Sequence, residues 1–87
     1  VVTGTGGVSA SKYVTRTYTG DGATVTYALT AYSATQHTQN SVLVFINGVA
    51  QVGGVNYTVD GNGTNIIFTV GDAPLANEIV HIVELPI

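Results

Sequence analysis

Residues 42–59, VLVFINGVAQVGGVNYTV, decide how this chain is to be read. They open with five consecutive apolar residues, Val42, Leu43, Val44, Phe45 and Ile46, of which all but Leu43 are β-branched or aromatic. Such a run is too short for an ordinary helix, and its side chains pack best on a pleated strand. Without polar alternation it reads as a strand buried on both faces, at the centre of a sheet. Asn47-Gly48 follows directly. A type I′ turn needs φ > 0 at both central positions, which Asn and Gly tolerate best, so a two-residue hairpin is expected there. The chain runs on through Val49, Ala50, Gln51 and Val52, breaks at Gly53-Gly54 and resumes as Asn56-Tyr57-Thr58-Val59.

The flanking segments extend the same pattern. Residues 12–19, KYVTRTYT, alternate with Val14, Arg16 and Tyr18 on one face and Tyr13, Thr15 and Thr17 on the other, as an edge strand would. Residues 23–30, ATVTYALT, turn Val25, Tyr27 and Leu29 inward, and Gly20-Asp21-Gly22 between these two strands predicts a hairpin. Residues 65–70, NIIFTV, place Ile66, Phe68 and Val70 on one face. Residues 78–85, EIVHIVEL, set Val80, Ile82 and Glu84 against Ile79, His81, Val83 and Leu85. Asp60-Gly61-Asn62-Gly63 and Gly71-Asp72-Ala73-Pro74 are turns. The reading is a small antiparallel β-sandwich of about seven strands, all-β, built on residues 12–87. The apolar runs at 42–46 and 79–83 are its central strands, one in each sheet. The expected core is Val25, Tyr27, Leu29, Phe45, Tyr57, Ile66, Phe68 and Ile82.

Residues 1–11, VVTGTGGVSAS, have no period of either kind and read as an extended N-terminal arm or linker. Their glycines begin like a dinucleotide fingerprint, but Ser9 stands where the third glycine belongs, and Lys12 completes no phosphate loop. Residues 31–41, AYSATQHTQNS, are polar and irregular; they cross between sheets or form an exposed loop, a common place for recognition.

Composition narrows the function. The 87 residues include 8% charged, against roughly 25% in ordinary soluble domains, so Thr, Ser, Asn, Gln and Gly must supply the polar surface. A surface so weakly charged is poorly protected against association. With Lys12 and Arg16 the only basic residues and a net charge of −3, nucleic acid is not an expected partner. No apolar run nears the roughly 18 residues of a membrane span, and no signal peptide is recognisable. The chain contains no cysteine, and its lack of any methionine, including at position 1, is what a processed or partial polypeptide would show.

Chemistry is sparse. No nucleophile elbow is present, His81 sits mid-strand between Val80 and Ile82, and His37 has no acidic neighbour in sequence. Asp21, Asp60, Asp72, Glu78 and Glu84 are scattered, and all but one border turns or strand ends. Residues 60–63 echo the start of a calcium loop but lack its later ligands and closing glutamate. No catalytic, cofactor or metal residue is therefore assigned, and no enzyme is expected. Asn56-Tyr57-Thr58 and Asn62-Gly63-Thr64 match the glycosylation pattern, as chance allows in a chain rich in Asn and Thr. Tyr32, with Tyr13 or Tyr18, could offer an exposed ring to a sugar.

From Tyr18 onward the order of motifs resembles a module of bacteriophage tail-fibre and other virion appendage proteins. The residues are Tyr18-Thr19-Gly20-Asp21-Gly22 with Thr24, then Val42-Leu43-Val44-Phe45-Ile46-Asn47-Gly48 with Gln51. Asn56-Tyr57-Thr58-Val59, Ile66-Ile67-Phe68-Thr69, Ala73-Pro74 and the strand from Ile79 to Ile82 follow. The resemblance covers about residues 17–85. It departs at Asn56, where an aspartate is common, and in a longer loop before the last strand. It implies a structural, non-enzymatic virion protein, in a fibre or decorating the capsid, located on the particle surface. Its implied partners are other copies of itself, other virion proteins and a host-surface glycan, with no cofactor, nucleic acid or membrane insertion. The arm would order by adding a strand to a neighbour's sheet. Contacts are expected from Tyr32, Gln36 and His37 in the loop and from Asn47 and Gly48 at the hairpin tip. A second reading, a carbohydrate-binding module, would use Tyr32, Gln36, His37 and the turns near Asn47 or Asn62. A third, a bacterial surface adhesin domain, shares the fold in another setting.

Overall fold

The computed structural model describes residues 13–30 and 37–86, so the arm, Tyr32 and Gln36 lie outside the described residues. Seven strands form among them: β1 (Val14–Thr19), β2 (Thr26–Ala28), β3 (Val42–Ile46), β4 (Val49–Ala50), β5 (Tyr57–Val59), β6 (Asn65–Phe68) and β7 (Ile79–Glu84). They make two antiparallel sheets, β1-β7-β3-β4 and β2-β6-β5, packed face to face as an all-β sandwich.

The hairpin of residues 42–59 forms as expected. Phe45 pairs Ala50 and Ile46 pairs Val49, with Asn47 at φ 50° and Gly48 at φ 81° in the left-handed region that the primed turn requires. Asn47 also fixes the neighbouring strand. Its N–H donates to the Ile79 carbonyl and its side-chain Oδ1 accepts the Ile79 N–H, both at 2.8 Å.

Three expectations are corrected. The first concerns Gly20-Asp21-Gly22, which closes no hairpin. β1 pairs β7 in one sheet and β2 pairs β6 in the other, so the turn carries the chain across the sandwich. Gly20 is needed there by close approach, since a Cβ at this position would run into the Leu75 carbonyl oxygen and Pro74. The second concerns the apolar runs β3 and β7, which are neighbours in one sheet rather than centres of two. The third is that β3 is buried on one face only. Val42 and Val44 are fully buried, while Leu43 is 46% exposed and Phe45 turns outward to sit against His81, ring centroids 6.2 Å apart. An antiparallel sheet with a single covered face allows this.

The core is Tyr27, Leu29, Val42, Val44, Tyr57, Ile66, Phe68, Val80 and Ile82, with Val25 half-buried at its margin. Six of the eight expected core residues are therefore fully buried, and Phe45 alone points away. The rings of Tyr18, Tyr27, Phe68 and Tyr57 follow one another through it at centroid separations of 5.2, 5.7 and 6.4 Å. Such tilted and edge-on contacts add to area burial. The phenols tie the layers together: Tyr18 on β1 donates to the Ala28 carbonyl at 2.6 Å, and Tyr57 on β5 reaches the Val42 carbonyl at 3.4 Å.

Candidate functional site

Among the described residues, the one charged side chain fully inside the sandwich is Glu84. Alternation along β7 sends it inward with Val80 and Ile82, and no part of it reaches solvent. A carboxylate so placed is costly unless its oxygens are bonded. Oε2 accepts the Arg16 Nε–H at 2.6 Å and the Thr30 hydroxyl at 3.3 Å. Oε1 accepts the Thr30 N–H at 3.0 Å and faces His37 Nε2 at 3.0 Å. Arg16 also donates to the Thr30 hydroxyl at 2.7 Å, so β1, β7 and the second residue beyond β2 meet at one carboxylate.

His37 extends this cluster. It is wholly buried, with Nδ1 2.8 Å from the Ser41 hydroxyl. An ionised carboxylate only accepts, so Nε2 carries the proton toward Glu84. Ser41 in turn accepts the Thr38 N–H at 2.9 Å and lies 3.1 Å from the Thr38 carbonyl. Thr30 and His37, the residues flanking segment 31–36, thus both bond to Glu84.

Electrostatics agree with an ionised Glu84. Burial is the largest influence and pushes its pKa up, but the Thr30 N–H, the Arg16 guanidinium and the Thr30 hydroxyl together outweigh it. The carboxyl is held below its ordinary value. The same contact raises the Arg16 pKa through its hydrogen bond to Glu84.

Hydroxyl, imidazole and carboxylate stand here in the order of a hydrolytic triad. The imidazole and carboxylate are sealed from solvent, and the Ser41 hydroxyl lies 2.8 Å from Nδ1 while accepting the Thr38 N–H. The bonds to Thr30 and His37 tie β7 to the chain that follows β2 and precedes β3. The arrangement is a clamp joining the two sheets.

His37 is therefore corrected from an exposed loop contact to an interior residue. Of the other expected contact residues, Asn47 and Gly48 are exposed at the hairpin tip as read, and Tyr32 and Gln36 lie outside the described residues. The clamp itself was missed, although both inward charges, Arg16 and Glu84, follow from strand alternation.

The acidic turns have local work. Asp21 Oδ1 accepts the Ala23 and Thr24 N–H groups at 2.9 and 2.6 Å, and Oδ2 the Thr24 hydroxyl at 2.6 Å. The Thr24 hydroxyl and then these N–H groups lower its pKa to about 2. Asp60 does the same for the turn before β6, with Thr64 and Asn65 as donors. Among the described residues no group of three His, Asp or Glu gathers as metal ligands would.

The outward faces of the two sheets differ. On β2-β6-β5 the outward residues include Thr26, Thr58, Ala28 and Asn65, with Ile67 among them. On β1-β7-β3 the outward rows are Thr15-Val83-Leu43, Thr17-His81-Phe45 and Thr19-Ile79, which join Leu43, Phe45, Ile79 and Val83 in one apolar band. His81 lies in the middle row of that face, with Nδ1 3.4 Å from the Thr17 hydroxyl. Compared with models of known protein families, with curated proteins and with solved structures, the chain matches none.

Proposed function

We propose that this chain is a structural, non-enzymatic module of a bacteriophage virion, part of a fibre or of the capsid decoration, working through contacts with other virion subunits. The observation that carries the reading is the apolar, nearly uncharged outer face of the β1-β7-β3 sheet, beside the polar face of its counterpart. An aqueous life would favour polar residues on both faces; a band of Leu43, Phe45, Ile79 and Val83 suits a face covered by protein. The low charge of the whole chain and the order of motifs over residues 17–85 support the same reading. The Glu84 clamp then has a mechanical role, keeping the two layers in register under load.

The test is mass spectrometry of gradient-purified particles, followed by cryo-EM of the same sample. The chain should be present at a fixed ratio to the major virion proteins, with the Leu43–Phe45 face against protein density. Its recovery only from the lysate, never from particles, would refute the proposal.

A further inference from the structure

The free edge of β1 has a definite chemistry. The Gly20 N–H donates to the Glu78 carbonyl, and Gly20 and Glu78 are opposite in the β1–β7 register. Antiparallel ladders alternate, so Val14, Arg16 and Tyr18 bond to β7 while Thr15, Thr17 and Thr19 turn their N–H and C=O groups away from it. β7 agrees from its other side, where Ile79 and Leu85 bond to Asn47 and Ser41. No described strand pairs with that edge of β1. It runs six residues without proline. Its one charge, Arg16, would guard it if it projected outward, but Glu84 and Thr30 hold the guanidinium on the inner side of the sheet, half-buried. The other edge of the sheet is β4, only two residues long.

We propose that β1 is an assembly edge that takes up β1 of a second copy of this chain, antiparallel, with Thr17 opposite the partner's Thr17. A threonine edge with no carboxylate and no projecting cation is complementary to itself. The register follows from the same residues. Residues whose free N–H and C=O face the edge must meet each other, which leaves Thr15, Thr17 and Thr19 to pair among themselves. Centring on Arg16 would set two guanidiniums opposite one another, a like-charge pair. Centring on Thr17 places Thr15 opposite the partner's Thr19 and Arg16 opposite the partner's Tyr18, and makes six backbone hydrogen bonds by the two-per-pair rule. Two four-stranded sheets become one, and their apolar outer bands become continuous. The interface is small, so the dimer is weak, on the order of micromolar, and gains strength from repetition in an array. The inference stands on edge geometry and does not require the virion reading.

The experiment uses the full chain, which has no cysteine of its own. T17C should form a disulfide-linked dimer under mild oxidation, since directly opposed residues are within disulfide reach. T15C should not, because Thr15 and the partner's Thr15 lie roughly 14 Å apart in this register. T17K, altering only an exposed side chain, should weaken the dimer about tenfold or more by sedimentation while leaving the thermal midpoint of the dilute chain unchanged. Three results overturn the proposal. One is a chain monomeric up to about 0.5 mM. Another is equal crosslinking of T15C and T17C. The third is exchange protection of the Thr15, Thr17 and Thr19 amides that does not vary with concentration, which would mean the edge is covered within one chain.

Discussion

Glu84→Gln tests the clamp with little change of shape. The substitution keeps one acceptor oxygen and replaces the other with an amide that donates. Glu84 now receives donors from Arg16, Thr30 and His37 on both oxygens, so the new N–H₂ must face a donor whichever way it turns. Losing charge-assisted bonds and leaving one buried donor unpaired costs about 2–4 kcal/mol. The Arg16 share sits at the low end of its range, because that side chain is 34% exposed and partly screened. A domain of this size is worth roughly 5–10 kcal/mol in total, so urea unfolding followed by far-UV circular dichroism resolves the loss easily. The acid limb gives a second signature. The folded pKa of Glu84 lies below its ordinary 4.5. As pH falls past that ordinary value the unfolded chain protonates first, and the stability contributed by Glu84, complete above it, drains away until the folded pKa is passed. Glu84→Gln lacks this group, so the gap between the two proteins should narrow on acidification. A loss under about 0.5 kcal/mol near neutral pH, or a gap that stays constant into acid, would refute the clamp.

Gly20→Ala should cost about 1–3 kcal/mol by chemical denaturation, because the new methyl meets the Leu75 carbonyl and Pro74 rather than a side chain that can move. Phe68→Ala should cost about 3–5 kcal/mol in the same assay, since the ring is fully buried and touches both Tyr27 and Tyr57. Thr24→Ala should raise the Asp21 carboxyl from about 2 toward its ordinary 3.8 in an NMR titration, by removing the largest of the bonds that lower it. Asn47→Ala should lose about 1–2 kcal/mol, from the Ile79 N–H left without its acceptor and from placing alanine, which tolerates the left-handed region less well than asparagine, at φ 50°.

Local signals in the sequence carried most of the fold. Asn47-Gly48 announced its turn because only a few residues accept the φ values it needs, and strict alternation located the inward faces of β2, β6 and β7. Pairing across the sandwich was less legible. Gly20-Asp21-Gly22 has the composition of a hairpin, and nothing within residues 12–30 says that β1 will choose β7, some sixty residues away, over its neighbour. The apolar character of β3 suggested two buried faces, yet Leu43 and Phe45 only mark a face that protein can cover. The clamp was half visible: Glu84 shares parity with Val80 and Ile82, and Arg16 with Tyr18. What alternation could not supply was the third dimension that brings His37 and Thr30 to the same carboxylate.

The clamp and the free edge are linked through one side chain. Arg16 lies on the strand that offers its outer edge to another chain, and a cation there would ordinarily discourage pairing. Glu84 removes that obstacle by holding the guanidinium on the inner side, at a distance of 2.6 Å. The buried carboxylate thus does two things that a leucine of similar volume would not. It bonds Thr30 and His37, on either side of residues 31–36, and it keeps the only charge on β1 out of the path of a second copy. On this argument Glu84→Gln should weaken the Thr17-centred dimer as well as the fold, since a freed guanidinium can swing to the edge. Glu84→Gln with Arg16→Gln should restore association while leaving the loss of stability in place. If the double substitution leaves association as weak as the single one, the freed guanidinium is not what links the two features.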